Sequence, residues 1–231
     1  ANADDEGVIQ VISSIDRTVR TFAIKQPADY RAVNIREYKP GFFEFDVLEW
    51  DNYYAHLTLS TPGYHNIYNA LAMVSCTRAL GLEPGAAEAA ARSFAAAGRR
   101  FEVLGERNGV TIVDDYAHHP TEVAATLATA RELGYKRVWA VDQPFTYSRT
   151  KALLHEFAQV LSAADRVVLT PIMGSREVDD GSVRSEDLAA LIPGCVTVAG
   201  LKEAADYIKA NAEPGDLVLT LGCGDVSKAA R

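Results

Sequence analysis

Nine consecutive residues hold the densest set of reactive side chains in this sequence: Asp114-Asp115-Tyr116-Ala117-His118-His119-Pro120-Thr121-Glu122. The apolar Val110–Val113 stretch precedes them, and Pro120 suits the first position of a helix. The run therefore falls where a strand hands over to a helix. Three carboxylates, a phenol and two imidazoles at a helix N-terminus can hold hydroxyls, phosphates or a cation. The ordinary alternative is that Asp and His only cap the helix while the rest is solvated. A two-His metal site is disfavoured, because adjacent side chains point apart.

A second cluster, Gln143-Pro144-Phe145-Thr146-Tyr147-Ser148-Arg149-Thr150-Lys151, again joins an apolar run to a helical pattern. Arg149 and Lys151 near a helix start oppose the helix dipole, which favours anions there. An anionic ligand would offset that cost; otherwise both cations point into water. A third cluster, Gly63-Tyr64-His65-Asn66-Ile67-Tyr68-Asn69, opens another helix. Asn66 fits an N-cap, and its amide, being both donor and acceptor, also matches a purine edge. Arg99 and Arg100 are surface charges unless Arg100 grips a phosphate bidentately. Gly222-Cys223-Gly224-Asp225 begins like a dinucleotide-binding glycine loop. Ser227 stands where the third glycine belongs, so a tight turn explains the segment better.

The elements that must position these clusters follow from periodicity. After a short helix near Gly7–Ile15, Thr18–Ile24, Arg31–Tyr38, Phe42–Trp50 and Tyr53–Ser60 read as strands of a meander with turns at Lys39-Pro40-Gly41 and Asp51-Asn52. His65–Leu80 reads as a helix with Ile67, Leu71, Val74 and Leu80 on one face, and Gly85–Ala97 as an Ala-rich helix stopped by Gly98. Asn108-Gly109 between two β-type runs is a two-residue hairpin turn, since both positions need φ > 0. The domain boundary falls within Arg100–Gly109, dividing the chain into 1–104 and 105–231.

Beyond it, strands and helices alternate: Val110–Asp114, helix Pro120–Leu133, Arg137–Val141, helix Ser148–Leu161, Asp165–Thr170, helix Ser185–Leu191, Cys195–Val198, helix Leu201–Ala210 and Asp216–Leu221. In the second of these helices Leu153, Leu154, Phe157, Val160 and Leu161 form an apolar stripe. Short apolar strands alternating with helices predict an α/β fold: an open parallel sheet with helices on both faces. Ligands of such sheets bind beyond the carboxyl ends of the strands, where the polar clusters fall.

Composition limits the function classes. At roughly 150 residues per domain, 231 residues make one large domain or two small ones. With 48% hydrophobic and 23% charged residues the chain is not a disordered one. A net charge of −8 argues against a general nucleic-acid or anionic-membrane binder, though not against a local basic pocket. Cys76, Cys195 and Cys223 form no CxxC pair, which excludes a disulfide framework or Cys-type zinc site and suits a reducing cytosol. No apolar run approaches the ~20 residues of a membrane span, and Ala1–Gly7 carries no secretory signal. The chain opens on Ala1 rather than Met, which reads as a cut within a longer protein.

Gly63-x-His65-Asn66-x-x-Asn69-Ala70, Gly98-Arg99-Arg100-Phe101-Glu102 and the Asp114–Glu122 string occur together in this order and spacing. In this the whole chain resembles the Mur ligases, the ATP-dependent amide ligases of peptidoglycan synthesis. The family has a UDP-substrate domain, a central ATPase domain and a Rossmann-like C-terminal domain. The resemblance implies the rear of the central domain, with its β-meander and helices, followed by the complete C-terminal domain. The Gln143–Thr150 string favours the branch that joins L-alanine to UDP-N-acetylmuramate. The branch that recycles murein peptides shares a similar His-His-Pro segment but lacks that string.

Carried over by motif, the resemblance implies that Asn66 and Asn69 contact adenine with His65 beside them. Arg100 would approach the ATP phosphates and Asp115 would accept the ribose hydroxyls. Tyr116 and His118 would face the muramyl substrate or the incoming alanine, and Arg149 would bind a substrate carboxylate or phosphate. Arg100 and His118 are the candidate catalytic residues. ATP and Mg²⁺ are the implied cofactors; no Gly-Lys-Ser/Thr phosphate loop occurs in the sequence, and the Mg²⁺ carboxylates are expected upstream. Phe145 departs from the His that members often carry after Gln-Pro, and Thr146 from the Arg of some. The implied reaction phosphorylates a carboxylate and lets an amine displace the phosphate, which needs positioning and charge neutralisation rather than a nucleophilic side chain.

Two other classes compete. A nicotinamide dehydrogenase needs an early Gly-x-Gly-x-x-Gly with an acidic residue ~20 positions on, and neither is present. A non-enzymatic nucleotide-binding module remains the second.

Overall fold

Alternation of apolar and polar residues lays down the strands that follow a short first helix. The computed structural model describes residues 1–230, in two units, Ala1–Ala95 and Ala96–Arg231. In the first, helix α1 (Glu6–Ile12) is followed by strands β1 (Phe22–Ala23), β2 (Tyr30–Lys39), β3 (Phe42–Glu49) and β4 (Asn52–Thr58), then helices α2 (His65–Ala79) and α3 (Pro84–Ser93). β2, β3 and β4 form the expected antiparallel meander, and β1 adds to β2 in parallel. Phe43, Phe45, Val47, Ala55 and Leu57 on the sheet pack against Ile67, Leu71 and Val74 of α2 and Ala87 and Ala91 of α3.

Two expectations for this unit are corrected. Leu80 lies past the end of α2 and is 79% exposed rather than part of the buried stripe. The helix expected to reach Ala97 ends at Ser93, where Ser60 Oγ lies 3.0 Å from the Ala91 carbonyl and 2.6 Å from that of Phe94. Ser60 of a distant turn, not Gly98, meets those last carbonyls, its N–H donating to that of Ala91 at 3.2 Å and its single hydroxyl proton serving the closer one of Phe94.

The second unit contains β5 (Glu102–Arg107), β6 (Val110–Asp115), α4 (Pro120–Glu132), β7 (Arg137–Asp142), α5 (Tyr147–Ala152), α6 (Leu154–Leu161), β8 (Arg166–Leu169), α7 (Ser185–Ala189), β9 (Val196–Thr197), α8 (Leu201–Asn211) and β10 (Asp216–Leu221), ending in a 3₁₀ turn, Val226–Ala230. The sheet order is β5-β6-β10-β7-β8-β9, parallel except for β5 at its edge. Strand periodicity sorts its side chains onto two faces. Val138, Ala140, Leu217 and Leu219 pack with Leu127, Phe157 and Leu188 of α4, α6 and α7, while Trp139, Val141 and Val218 meet Ala204 of α8. Helices thus cover both faces, as the alternation predicts.

The division between the units lies before Ala96, not at 104/105. A cut at 104/105 would split β5, whose Val103 pairs with Val113 and Arg107 with Val110. The hairpin turn is as expected, with Asn108 at φ 53° and Gly109 at φ 76°. Gly109 is also required by packing, since a Cβ there would lie 2.9 Å from Pro214 Cβ. The helix expected over Ser148–Leu161 is two helices, interrupted at Leu153 (φ −116°, ψ 26°) with no Gly or Pro to mark the break.

Candidate functional site

The carboxyl ends of β6, β7 and β10 bring the clusters of the second unit together. Asp115 closes β6 and is buried. Its Oδ2 accepts the Phe101 N–H at 2.8 Å and its Oδ1 the Ala117 N–H at 2.8 Å. Burial pushes the Asp115 carboxyl up, and the two N–H bonds and the Arg100 charge only partly counter it. His119 takes the bland role, capping α4 through Nδ1 toward the Thr121 N–H at 3.3 Å.

His118 does not serve as that cap. Its Nδ1 lies 2.9 Å from the Tyr116 carbonyl and 3.4 Å from Glu122 Oε2. Both partners only accept, so Nδ1 is the donor of this ring. The Tyr116 ring meets His118 edge-on at 5.4 Å and lies under Arg99 at 5.1 Å and Arg100 at 5.5 Å. His118 in turn meets Phe145 edge-on at 6.3 Å, and Arg149 lies 6.0 Å over the Phe145 ring. Arg149 also reaches the His118 carbonyl at 3.5 Å. Asp115, Tyr116, His118, Arg100 and Arg149 therefore share one edge.

Several residues that the sequence reading passed over build this edge. Arg99, expected at the surface, is the main clamp. Its Nε donates to Asp114 Oδ2 at 2.7 Å, and its terminal nitrogens donate to the carbonyls of Gly224 (3.0 Å) and Gly222 (2.6 Å). Asp114 also accepts the Thr220 hydroxyl at 2.6 Å. The Gln143 amide pairs with Asp225 twice, donating to Oδ1 and accepting its N–H, both at 3.0 Å. These clamps hold Gly222-Cys223-Gly224-Asp225 as a packed turn, and a Cβ on Gly224 would lie 2.3 Å from Gln143 Oε1. No spacing in the sequence links residue 99 to residues 222–224.

α5 spans only Tyr147–Ala152, so Arg149 and Lys151 stand in its last turn, where the dipole favours cations, and the conflict expected from one helix over Ser148–Leu161 does not arise. Glu177, in the loop after β8, accepts the Ser148 N–H at 2.8 Å and the Ser148 hydroxyl at 2.5 Å. That hydroxyl and N–H hold the Glu177 carboxyl below its ordinary value. Asp142, at the end of β7, is the opposite case: 2% exposed, with Oδ2 lacking any hydrogen-bond partner. Burial alone pushes it up to about 7.

In the first unit, His65, Asn66 and Asn69 occupy the first turn of α2. Asn66 is not the N-cap, because its Nδ2 donates to the Pro62 carbonyl at 2.7 Å while its Oδ1 accepts from Asn69 Nδ2 at 2.8 Å. His65 and Asn69 are exposed. Nearby, Tyr68 donates its hydroxyl to Asp4 Oδ2 at 2.9 Å, and Asp4 also accepts the N–H groups of Ile24, Lys25 and Gln26. Among the described residues no three His, Cys, Asp or Glu side chains are grouped to hold a metal ion. No helix of the described residues is long and apolar enough to cross a membrane.

Comparison with known proteins agrees with both units. Residues 1–77 match the Mur ligase middle domain and residues 99–224 the Mur ligase glutamate ligase domain. The chain is 42% identical over 96% of its length to the UDP-N-acetylmuramate–L-alanine ligase of Caldanaerobacter subterraneus, covering 49% of that protein. It is 40% identical over 99% of its length to the ligase of the same name from Caldicellulosiruptor saccharolyticus, covering 51% of it. Among solved structures, the UDP-N-acetylmuramate-alanine ligase of Thermotoga maritima aligns with 92% of the chain and 46% of its own length at TM-score 0.75 and 26% identity. A murein peptide ligase from Psychrobacter arcticus aligns at TM-score 0.64 and 25% identity, over 96% of this chain and 48% of its own. The chain belongs to the Mur ligase family. It spans about half the length of the curated relatives it matches.

Proposed function

We propose that the protein carrying this chain is a cytoplasmic, ATP-dependent ligase that joins L-alanine to UDP-N-acetylmuramate. The observation that carries the reading is identity of about 40% over almost the whole chain to ligases of that name. ATP phosphorylates the muramyl carboxylate; the alanine amine then attacks the acyl phosphate, forming the amide and releasing ADP and phosphate. Mg²⁺, when bound with the ATP, would supply neutralisation of phosphate charge. Arg100 approaches the phosphates, Asp115 receives ribose hydroxyls, and Asn66 and Asn69, with His65, address adenine. Asp115 already holds two N–H groups, so a ribose contact uses its remaining lone pairs. Tyr116 and His118 face the muramyl group or the alanine. With Nδ1 turned to the Tyr116 carbonyl, His118 Nε2 is the ring nitrogen that takes a proton from the amine. Arg149, which has no carboxylate partner among the described residues, binds a substrate carboxylate or phosphate.

The test supplies the whole protein with ATP, Mg²⁺, UDP-N-acetylmuramate and labelled L-alanine, and follows amide product and ADP. We expect equimolar products, and Arg149→Ala should lower kcat/KM about 100-fold, as for a lost charge-assisted hydrogen bond of about 3 kcal/mol. Preference for a preformed murein peptide over L-alanine would transfer the protein to the recycling branch. Nucleotide binding without turnover would leave a binding module. Residues 1–231 alone should release no phosphate from ATP, since they lack a phosphate loop.

A further inference from the structure

We propose that Phe145 is the positioning residue of the carboxyl edge: its ring fixes the Arg149 guanidinium and the His118 imidazole relative to each other. The ring lies between them, edge-on to His118 at 6.3 Å and under Arg149 at 6.0 Å. Arg149 has few other restraints. Among the described residues no carboxylate stands within ion-pair distance of it, and its hydrogen bond to the His118 carbonyl is long, at 3.5 Å. A guanidinium in that situation is held by the ring quadrupole, which attracts cations over its face and presents a positive edge to neighbouring rings.

Phe145 is itself firmly seated. It forms a parallel bridge with Met173, flanked by the Thr146 N–H to the Met173 carbonyl at 3.0 Å and the Met173 N–H to the Pro144 carbonyl at 2.8 Å. The next residue, Thr146, is β-branched yet sits at φ 64°. Such strain persists only where the surroundings over-determine the backbone, and it gathers at functional sites. Arg100, Tyr116, His118, Phe145 and Arg149 thus form one row of cations and rings drawn from three separate segments. Phe145 is the link that joins the α5 end of that row to the β6 end. The identity of the substrate met by Arg149 rests on the ligase reading; the positioning role does not.

The test compares wild type, Phe145→Leu and Phe145→Tyr in the 231-residue chain by NMR of the Arg149 Nε–H group and the His118 ring C–H groups. In the Leu variant we expect the Arg149 heteronuclear NOE to fall by at least half and the His118 resonances to move toward those of free histidine. The Tyr variant, which keeps the ring, should restore both. Unchanged Arg149 and His118 signals in the Leu variant, or a Tyr variant unlike wild type, overturn the proposal. Should the Leu variant not fold, the Tyr comparison still decides. In the ligase assay the Leu variant should raise the KM of the carboxylate substrate about 10-fold and leave that of ATP unchanged. If the NMR changes appear without that KM shift, the substrate role given to Arg149 fails and the positioning role stands.

Discussion

Asp216 and Asp142 stand at opposite ends of two neighbouring strands, β10 and β7, and both are buried. Asp216 opens β10 in register with Arg137, whose guanidinium forks onto it at 3.0 and 2.7 Å. The Trp139 indole N–H at 2.9 Å and the Glu213 N–H at 2.9 Å complete its shell. Burial raises the Asp216 carboxyl, but these donors outweigh it and hold the group below the ordinary carboxylate range. Asp142 closes β7 in register with Leu221, which offers it nothing polar. Burial there acts unopposed and lifts it to about 7. Its charge also adds to burial in raising the Cys195 thiol to about 11. The amino edge of the sheet is satisfied and serves stability; the carboxyl edge carries the uncompensated groups, on the side where doubly wound sheets bind ligands.

The contrast can be broken most severely at the amino edge. Asp216→Ala strands the buried indole N–H, at a cost of about 1–3 kcal/mol for that donor alone, and releases the Arg137 guanidinium from its partner. We expect Tm to fall by about 10 °C, read by calorimetry. The two aspartates also give opposite pH dependence. For Asp216, whose folded value is depressed, stability is complete above the unfolded value near 4 and is lost as pH falls through the folded one. For Asp142 the unfolded chain ionises first, so stability declines by up to about 1.4 kcal/mol per pH unit between about pH 4 and pH 7 and then levels off. Asp142→Asn should abolish that slope and raise Tm by several degrees at pH 8. A slope that survives the substitution, in denaturation series across that range, would mean that another group is responsible.

A smaller effect sharpens the comparison at the glycines. Gly109→Ala, at the amino edge, must hold φ near 76° with its Cβ against Pro214, and should cost about 1 kcal/mol. Urea unfolding should register that loss while the Arg149 and His118 NMR signals stay in place.

Much of the second unit was legible because its strands and helices are local patterns. Val110–Asp114, Arg137–Val141 and Asp216–Leu221 read as strands of a parallel sheet, Val138–Val141 and Leu217–Leu221 of them as buried, and Asn108-Gly109 announced its own turn. Helix ends were less legible. The stop of α3 depends on Ser60, more than 30 positions away, and the break at Leu153 has no local marker. The candidate residues Asp115, Tyr116, His118 and Arg149 could be named from motif, because the chemistry they imply is written in residue type and order.

What the sequence determined by itself is the family, the strand–helix alternation and the placing of polar clusters after apolar strands, all of which depend on neighbours along the chain. The tertiary structure decided which of those polar groups are structural. It turned Arg99 from a surface charge into the clamp on Gly222 and Gly224, and supplied Glu177 as the anion at the start of α5. It paired Asp216 while leaving Asp142 without a partner. The reason is that desolvation and hydrogen bonding act through space. Whether a buried carboxylate is anchored or left uncompensated depends on what the neighbouring strand presents in register, and residue order along one strand does not contain that information.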